Sequence, residues 1–396
     1  MRTGTANTYA HALDQLFKRQ SALASQQEKL STGLKVNRAS DDPTGAAQAE
    51  RARARLSRIE TDQRALELQR NAIASAESAL GQANGLVQGT RDLLLAAGNA
   101  AYSAADRTTL AQQITNLRDQ LLDQANRSDS NGVALFGGLG SPGAPFTDPV
   151  AGVQFQAVPG QRAPTATSLP GAMDGQAIWM NVPSGNGVFA TGLAAGNSGS
   201  AWSDSGAVVS PAALTGNNYS VAFSVVAGVT TYGVVNTTTS ATVATGQPYV
   251  AGTAIQFDGM SLVVRGAPAN GDAVTVAPST PTNLFQILDA AATSINGASN
   301  DNRLAQAIGL ALTQIDTGLE RLQAARSQAG DWLNRADSIT SAQEARTIAL
   351  QDDRARAEGL DMVKGISDFN QIQTGYQAAL QSYAQIQRLS LFNFIN

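Results

Sequence analysis

The sequence predicts an α+β multidomain protein, a bundle or coiled coil of long helices formed by the N- and C-terminal arms around a central antiparallel β insert. Three observations predict it. Twelve of the 13 prolines lie between Pro142 and Pro281, Pro43 being the exception. An interior proline costs a helix about 3 kcal/mol, so the arms are free to run as long helices. Only seven of the 58 charged residues fall in 141–282, and 205–257 carries none. Apolar residues recur every seven positions in the arms and alternate along the insert.

The first arm opens with a narrow stripe. Leu16, Leu23 and Leu30 are spaced by seven, but the column beside them reads Leu13, Gln20, Gln27. Such a helix buries too little surface to hold itself together in water. Asp42 precedes Pro43, a proline suited to the first position of a helix that Asp42 caps. Ile59, Leu66, Ile73, Leu80, Val87 and Leu94 then form six consecutive heptad positions, the pattern of helices packed lengthwise. A shorter helix at 106–125 places Leu110, Ile114, Leu117 and Leu121 on one face, with Ser103 and Asp106 as a capping box.

The insert alternates. Tyr219, Val221, Phe223 and Val225 make one run; Ile255 and Phe257 lead through Asp258-Gly259 to Leu262 and Val264; Asn270-Gly271 precedes Val274 and Val276. Two dipeptides of the tight-hairpin type between alternating runs predict an antiparallel meander. Residues 141–210 read largely as loop. In the second arm Ile308, Ile315, Leu322, Ala329 and Ala336 form one column, and Leu312, Leu319 and Leu333 a second. The chain closes on another narrow stripe, Ile372, Ala379 and Ile386, with Tyr376 and Tyr383 beside it.

Composition excludes most chemistry. The chain has no cysteine and one histidine, His11, so thiolate chemistry and the common zinc sites cannot be built. A net charge of −4 argues against nucleic acid as a partner. Residues 1–9 lack the apolar core of a cleavable signal, and no stretch approaches a membrane span. The pair Asp41-Asp42 reads as a helix start, Asp352-Asp353 as a solvated face. Gly138, Gly140 and Gly143 spell a dinucleotide-like spacing interrupted by Pro142 with no helix to follow. No catalytic, cofactor or metal residues are expected. An enzyme hidden in the insert would require Asp204, Asp258 or Asp272 to converge in a pocket.

Residues 30–50, LSTGLKVNRASDDPTGAAQAE, resemble the N-terminal signature of the flagellin superfamily, with Ser31, Gly33, Asp41 and Asp42 where that family has them. The stretch VQGTRDLLLAAGNAAYSAADRTTLAQQITNLRDQL is similar to its next helices. Pro43 after the acidic pair, NGVALFGG at 131–138 and the ending QSYAQIQRLSLFNFIN resemble the hook-associated protein 3 branch more than filament flagellin.

The resemblance implies a structural subunit of the flagellum, joining hook to filament and exported by the flagellar type III apparatus. It implies that 1–45 and 360–396 are disordered in the monomer and form a coiled coil on assembly, that 46–140 and 283–359 form a helical bundle, and that 141–282 forms an outer β domain. The assembly interface expected is Leu13, Leu16, Leu23, Leu30, Ile372, Tyr376, Ala379, Tyr383, Ile386, Leu389, Leu391 and Phe392. Implied partners are other copies in a ring, an adjacent hook-associated protein, flagellin or a second junction protein on the filament side, and an export chaperone; no membrane or nucleic acid is implied. The alternatives are a filament-forming flagellin, which shares every arm feature, and a surface adhesin, which would need an anchor or secretion signal.

Overall fold

The structure is a computed structural model that describes the backbone of residues 3–99, 102–298 and 301–392, and side chains between 10 and 385 within those ranges. Among the described residues six helices flank the insert: α1 (Thr3–Thr32), α2 (Pro43–Ala97), α3 (Ala104–Ala125), α4 (Leu284–Asn296), α5 (Asp301–Glu358) and α6 (Met362–Phe392). The chain divides into two compact units, Met1–Arg64 with Ile339–Asn396, and Ala65–Ser338. The division falls inside α2 and α5 rather than at the expected 45/46 and 359/360.

In the Ala65–Ser338 unit the heptad columns become the helical core. Leu66 of α2 is buried, and Ile73, Leu80, Val87 and Leu94 lose all solvent contact. On α5, Ile308, Ile315, Leu322, Ala329 and Ala336 are buried. Arg70 pairs with Asp337 at 3.1 Å, Glu77 with Arg326 at 2.6 Å and Arg91 with Asp316 at 3.0 Å, fixing an antiparallel register. The second α5 column differs from expectation. Leu312 and Leu333 are half-buried, while Leu304, Ala311, Ala325 and Trp332 are buried. Beside the α2 column lie Ala76, Ala83, Thr90 and Ala97, also buried. Small side chains complete the seam, and a search for large apolar residues passes over them.

Helix α3 begins on the expected capping box: the Ser103 N–H donates to Asp106 Oδ2 at 2.9 Å, and the Asp106 N–H to Ser103 Oγ at 3.3 Å. α3 packs along α4, held by the buried Arg118, which pairs with Asp119 at 3.2 Å, Asp289 of α4 at 3.2 Å, and Asp148. The Arg118 guanidinium holds the Asp148 carboxyl below the usual range, whereas burial raises that of Asp289.

The first part of the insert belongs with these helices. A hairpin of β1 (Phe146–Thr147) and β2 (Gln154–Phe155) precedes a single π turn, Gln176–Met180. Phe136, Phe146 and Trp179 are buried with Phe285 of α4, the Trp179 and Phe285 rings stacking 6.1 Å apart. Phe146 and Trp179, in the stretch expected to open the outer domain at 141, have their hydrophobic partner on α4. Then β3 (Val182–Pro183) pairs with the last strand of the insert, β13 (Pro281–Thr282).

Between them two antiparallel sheets share one core. The remaining strands are β4 (Phe189–Leu193), β5 (Trp202–Ser203), β6 (Ala207–Val208), β7 (Tyr219–Val226), β8 (Val229–Asn236), β9 (Ala241–Pro248), β10 (Ala254–Phe257), β11 (Met260–Arg265) and β12 (Ala273–Pro278). One sheet has the order β4-β12-β7-β8-β9; in the other β11 pairs with β10, β5 and β6. The inward alternation is the expected one, with Tyr219, Val221, Phe223, Ile255, Phe257, Leu262, Val264, Val274 and Val276 all buried together. Asp258-Gly259 makes the β10–β11 hairpin, both residues at positive φ and Phe257 facing Met260. Asn270-Gly271 does not make a hairpin. It carries the chain from one sheet to the other, since β12 pairs with β4 and β7. The buried Asp272 carboxylate stabilises that crossing by accepting from the Ser198, Gly199 and Ala269 N–H groups at 2.8–2.9 Å. The expected meander is thus confined to β7-β8-β9.

Candidate assembly surface

The Met1–Arg64 and Ile339–Asn396 unit collects the expected interface residues. α1 and α6 lie antiparallel: the Gln26 side-chain amide donates to the Gly365 carbonyl at 3.0 Å. A Cβ at the buried Gly365 would stand 3.0 Å from Leu360 Cδ2 and 3.2 Å from Leu30 Cδ2, so a side chain there would require both leucines to shift slightly. Within the segments 1–45 and 360–396, expected to lack fixed structure in the free chain, residues 3–32 and 362–392 form α1 and α6.

Their stripes are only half used. Leu13, Leu16, Leu23 and Leu30 on α1 are half-buried, as are Ile372, Tyr376, Ala379 and Tyr383 on α6; none reaches full burial. Ile386, Leu389, Leu391 and Phe392 lie outside the described side chains. The same hairpin exposes apolar side chains that the heptad reading missed: Phe17 at 58 %, Met362 at 47 %, Val363 at 81 %, Ile366 at 50 % and Leu380 at 40 %. Ile366 and Leu380 stand fourteen residues apart on one face of α6, with Gln373 between them, which is why no continuous column showed.

A compact joint holds the hairpin to the start of α2 and the end of α5. Gly33 ends α1 in the left-handed region, at φ 69°. Leu34 then bridges to Gly359, with Lys35 N–H donating to the Glu358 carbonyl at 2.8 Å and Leu360 N–H to the Gly33 carbonyl at 2.9 Å. Asp41 and Asp42 divide the work as helix-start residues. Asp41 Oδ2 accepts from the Arg38 and Asn37 N–H groups at 3.0 and 3.2 Å, shaping the connector. Asp42 Oδ1 accepts from Gly45 and Thr44 at 3.0 and 3.1 Å, capping α2 at Pro43. The Gly45 N–H, foremost among these bonds, holds the Asp42 carboxyl below its ordinary range. Ser31 is exposed.

The residue that sequence reasoning missed is Glu358. Its buried carboxylate receives Arg53 of α2 at 2.6 Å and Arg354 one turn back on α5, while its carbonyl receives Lys35. Glu358 therefore ties three segments. Its position at the end of a polar helix gave no signal, because what distinguishes it is the approach of α2.

The features considered for catalysis are occupied elsewhere. His11 is exposed, and Asp352 and Asp353 lie on a solvated face. Asp204 accepts from Gly206 and Val263, Asp258 from the Tyr219 hydroxyl, and Asp272 from three backbone N–H groups. Gly138, Gly140 and Gly143 border a cleft of about 750 Å³, and β1, not a helix, follows them. Among the described residues no acid or histidine group is placed to hold a metal ion, and no helix is long and apolar enough to cross a membrane.

Residues 4–141 match the family described as bacterial flagellin N-terminal helical region, and residues 312–395 the bacterial flagellin C-terminal helical region. Flagellar hook-associated protein 3 of Salmonella typhimurium is 32% identical over 156 residues, 38% of this chain and 48% of that protein, so the alignment spans about half of this curated relative. The crystal structure of hook-associated protein 3 from Legionella pneumophila superposes with a TM-score of 0.72 at 28% identity, covering 76% of this chain and 97% of that one. A second Legionella pneumophila structure, of the flagellar junction protein FlgL, gives 0.68 at 30% identity over 74% and 99%. Terminal helical regions that match the family over both arms, on a fold shared with these structures over about three quarters of this chain, show that the chain belongs to the flagellin family.

Proposed function

We propose that the chain is a non-catalytic structural subunit of the bacterial flagellum that joins the hook to the filament. One observation carries the reading: a paired terminal hairpin whose apolar rows are half-buried or open, in a chain whose fold is shared with hook-associated protein 3. A narrow open stripe is completed by neighbouring copies, and the ordering cost met at that moment favours growth on an existing template. Shallow burial supports a hairpin that is loosely held in the free chain. Contacts run head to tail around a ring, with a hook-associated protein on one side and flagellin or a second junction protein on the other. Export by the flagellar type III route, with a chaperone covering the C-terminal stripe, completes the proposal. The second reading, a filament-forming flagellin, is favoured by the family match of both arms and differs in its product.

The test is electron microscopy of a strain lacking the gene, complemented with the wild-type chain or with Val363→Asp/Ile366→Asp. Bare hooks and flagellin lost to the medium are expected without the gene and with the double variant. These side chains are exposed, so the isolated variant keeps its helical circular dichroism. Normal filaments in the deletion strain would refute the junction role; normal filaments with the double variant would refute the surface.

A further inference from the structure

Four arginines of α2 and α5 reach a carboxylate on the facing helix: Arg53 meets Glu358, Arg70 Asp337, Arg91 Asp316 and Arg326 Glu77. Among those that do not are three near the start of α2. Arg51, Arg55 and Arg58 are exposed, and among the described residues none has a carboxylate partner. Arg51 bonds the Ala47 carbonyl of its own helix at 3.1 Å. Spacings of four and three put all three on one face, where like charges destabilise a helix. Arg51 and Arg55 also line a cleft of about 540 Å³ with Arg356 of α5, over the buried Ala52 and Ala357. Its one acid, Asp353, is already paired with Arg356. A chain of net charge −4 thus carries a cleft with positive charge to spare.

Two exposed acids on the same helices point elsewhere, while the exposed Asp352 shares the Arg356 face. Glu60 follows Arg51 by nine residues, about 180° around α2, and Glu344 precedes Arg356 by twelve, about 120° around α5. Neither has an ion-pair partner among the described residues. We propose that the Arg51–Arg55–Arg356 cleft of one copy receives the Glu60 and Glu344 carboxylates of a second copy. Guanidinium groups suit carboxylates through paired, directional hydrogen bonds. Donor and acceptor lie on different faces, so the contact is heterologous and propagates head to tail. The inference rests on the assembly reading and supplies it with a polarity.

The test uses the full-length chain in sedimentation velocity at low and high salt. Wild-type association should weaken with salt. Arg51→Glu/Arg55→Glu should abolish it, as should Glu60→Arg/Glu344→Arg, each with unchanged helical circular dichroism. An equimolar mixture of the two variants should associate again, because each then offers the charge the other lacks. Loss in both variants without recovery on mixing overturns the pairing, as does wild-type behaviour in either variant. A wild-type chain that does not associate overturns this pairing between free copies, a result separable from the assembly reading, which the deletion strain tests on an existing template.

Discussion

Glu358 offers the most direct test of how the terminal hairpin is attached. Glu358→Ala removes a carboxylate whose side chain is 6% exposed and which accepts from Arg53 and Arg354, themselves 46% and 43% exposed. A hydrogen bond to a charged group contributes about 1.5–3 kcal/mol. Half-exposed guanidiniums recover part of that from water, so about 1 kcal/mol per bond is a fair discount. The joint should lose about 2 kcal/mol, or roughly a 30-fold change in its opening equilibrium. The readout is native-state hydrogen exchange at the Lys35 and Leu360 amides, which bridge the two strands of the joint. Their protection should fall about 30-fold while that of Ile73 and Leu80 stays fixed, since local opening need not be global. Glu358→Gln, which keeps an acceptor, should lie between wild type and Ala. A change of less than about twofold in the Ala variant, under 0.5 kcal/mol, would show that the backbone bridge alone holds the joint.

Arg118→Met should destabilise the α3–α4 pair by about 1–3 kcal/mol, below the 3–5 of a fully buried ion pair because its acids face solvent. Urea unfolding measures it, and Asp148→Asn in the same chain should recover part by relieving the uncompensated acids. Asp42 supplies a pH dependence. Its folded pKa is depressed, so its stabilisation is present above the unfolded carboxylate value of about 4 and is lost as pH falls through the folded value. Exchange at Thr44 and Gly45 should accelerate below that range, and Asp42→Asn should remove most of the acid sensitivity. Equal acid sensitivity in wild type and variant would assign the effect to another group.

What the sequence made legible was local or strictly periodic. The Ser103–Asp106 box, the Asp42-Pro43 start and the Asp258-Gly259 hairpin each need only neighbouring residues, and all three stand as read. The heptads of α2 and α5 were legible because large apolar residues mark them. The Ala76, Ala83 and Ala311, Ala325 side of the seam was not, since alanine is equally at home on a solvated helix. Ala227-Gly228 makes a tight β7–β8 turn at positive φ without the usual Asn or Asp, and so left no mark. Asn270-Gly271 misled for the opposite reason. The dipeptide promises a hairpin, but a long-range partner, Asp272 holding Ser198 and Gly199, decides which sheet the next strand joins. Trp179 and Phe285 are separated by more than a hundred residues, and only the fold brings their rings together.

The pairing of β3 with β13 bears on how such chains diversify. Val182 faces Thr282 and Pro183 faces Pro281, so the polypeptide enters and leaves the double-sheet module about 5 Å apart, the Cα spacing of an antiparallel pair. The module is therefore a cassette on a fixed socket. It can lengthen, shrink or be exchanged without altering the spacing that the helices on either side must meet. Its exposed surface can then drift while selection on the helical seam continues undisturbed, and a foreign domain with adjacent termini could be seated there by the same geometry.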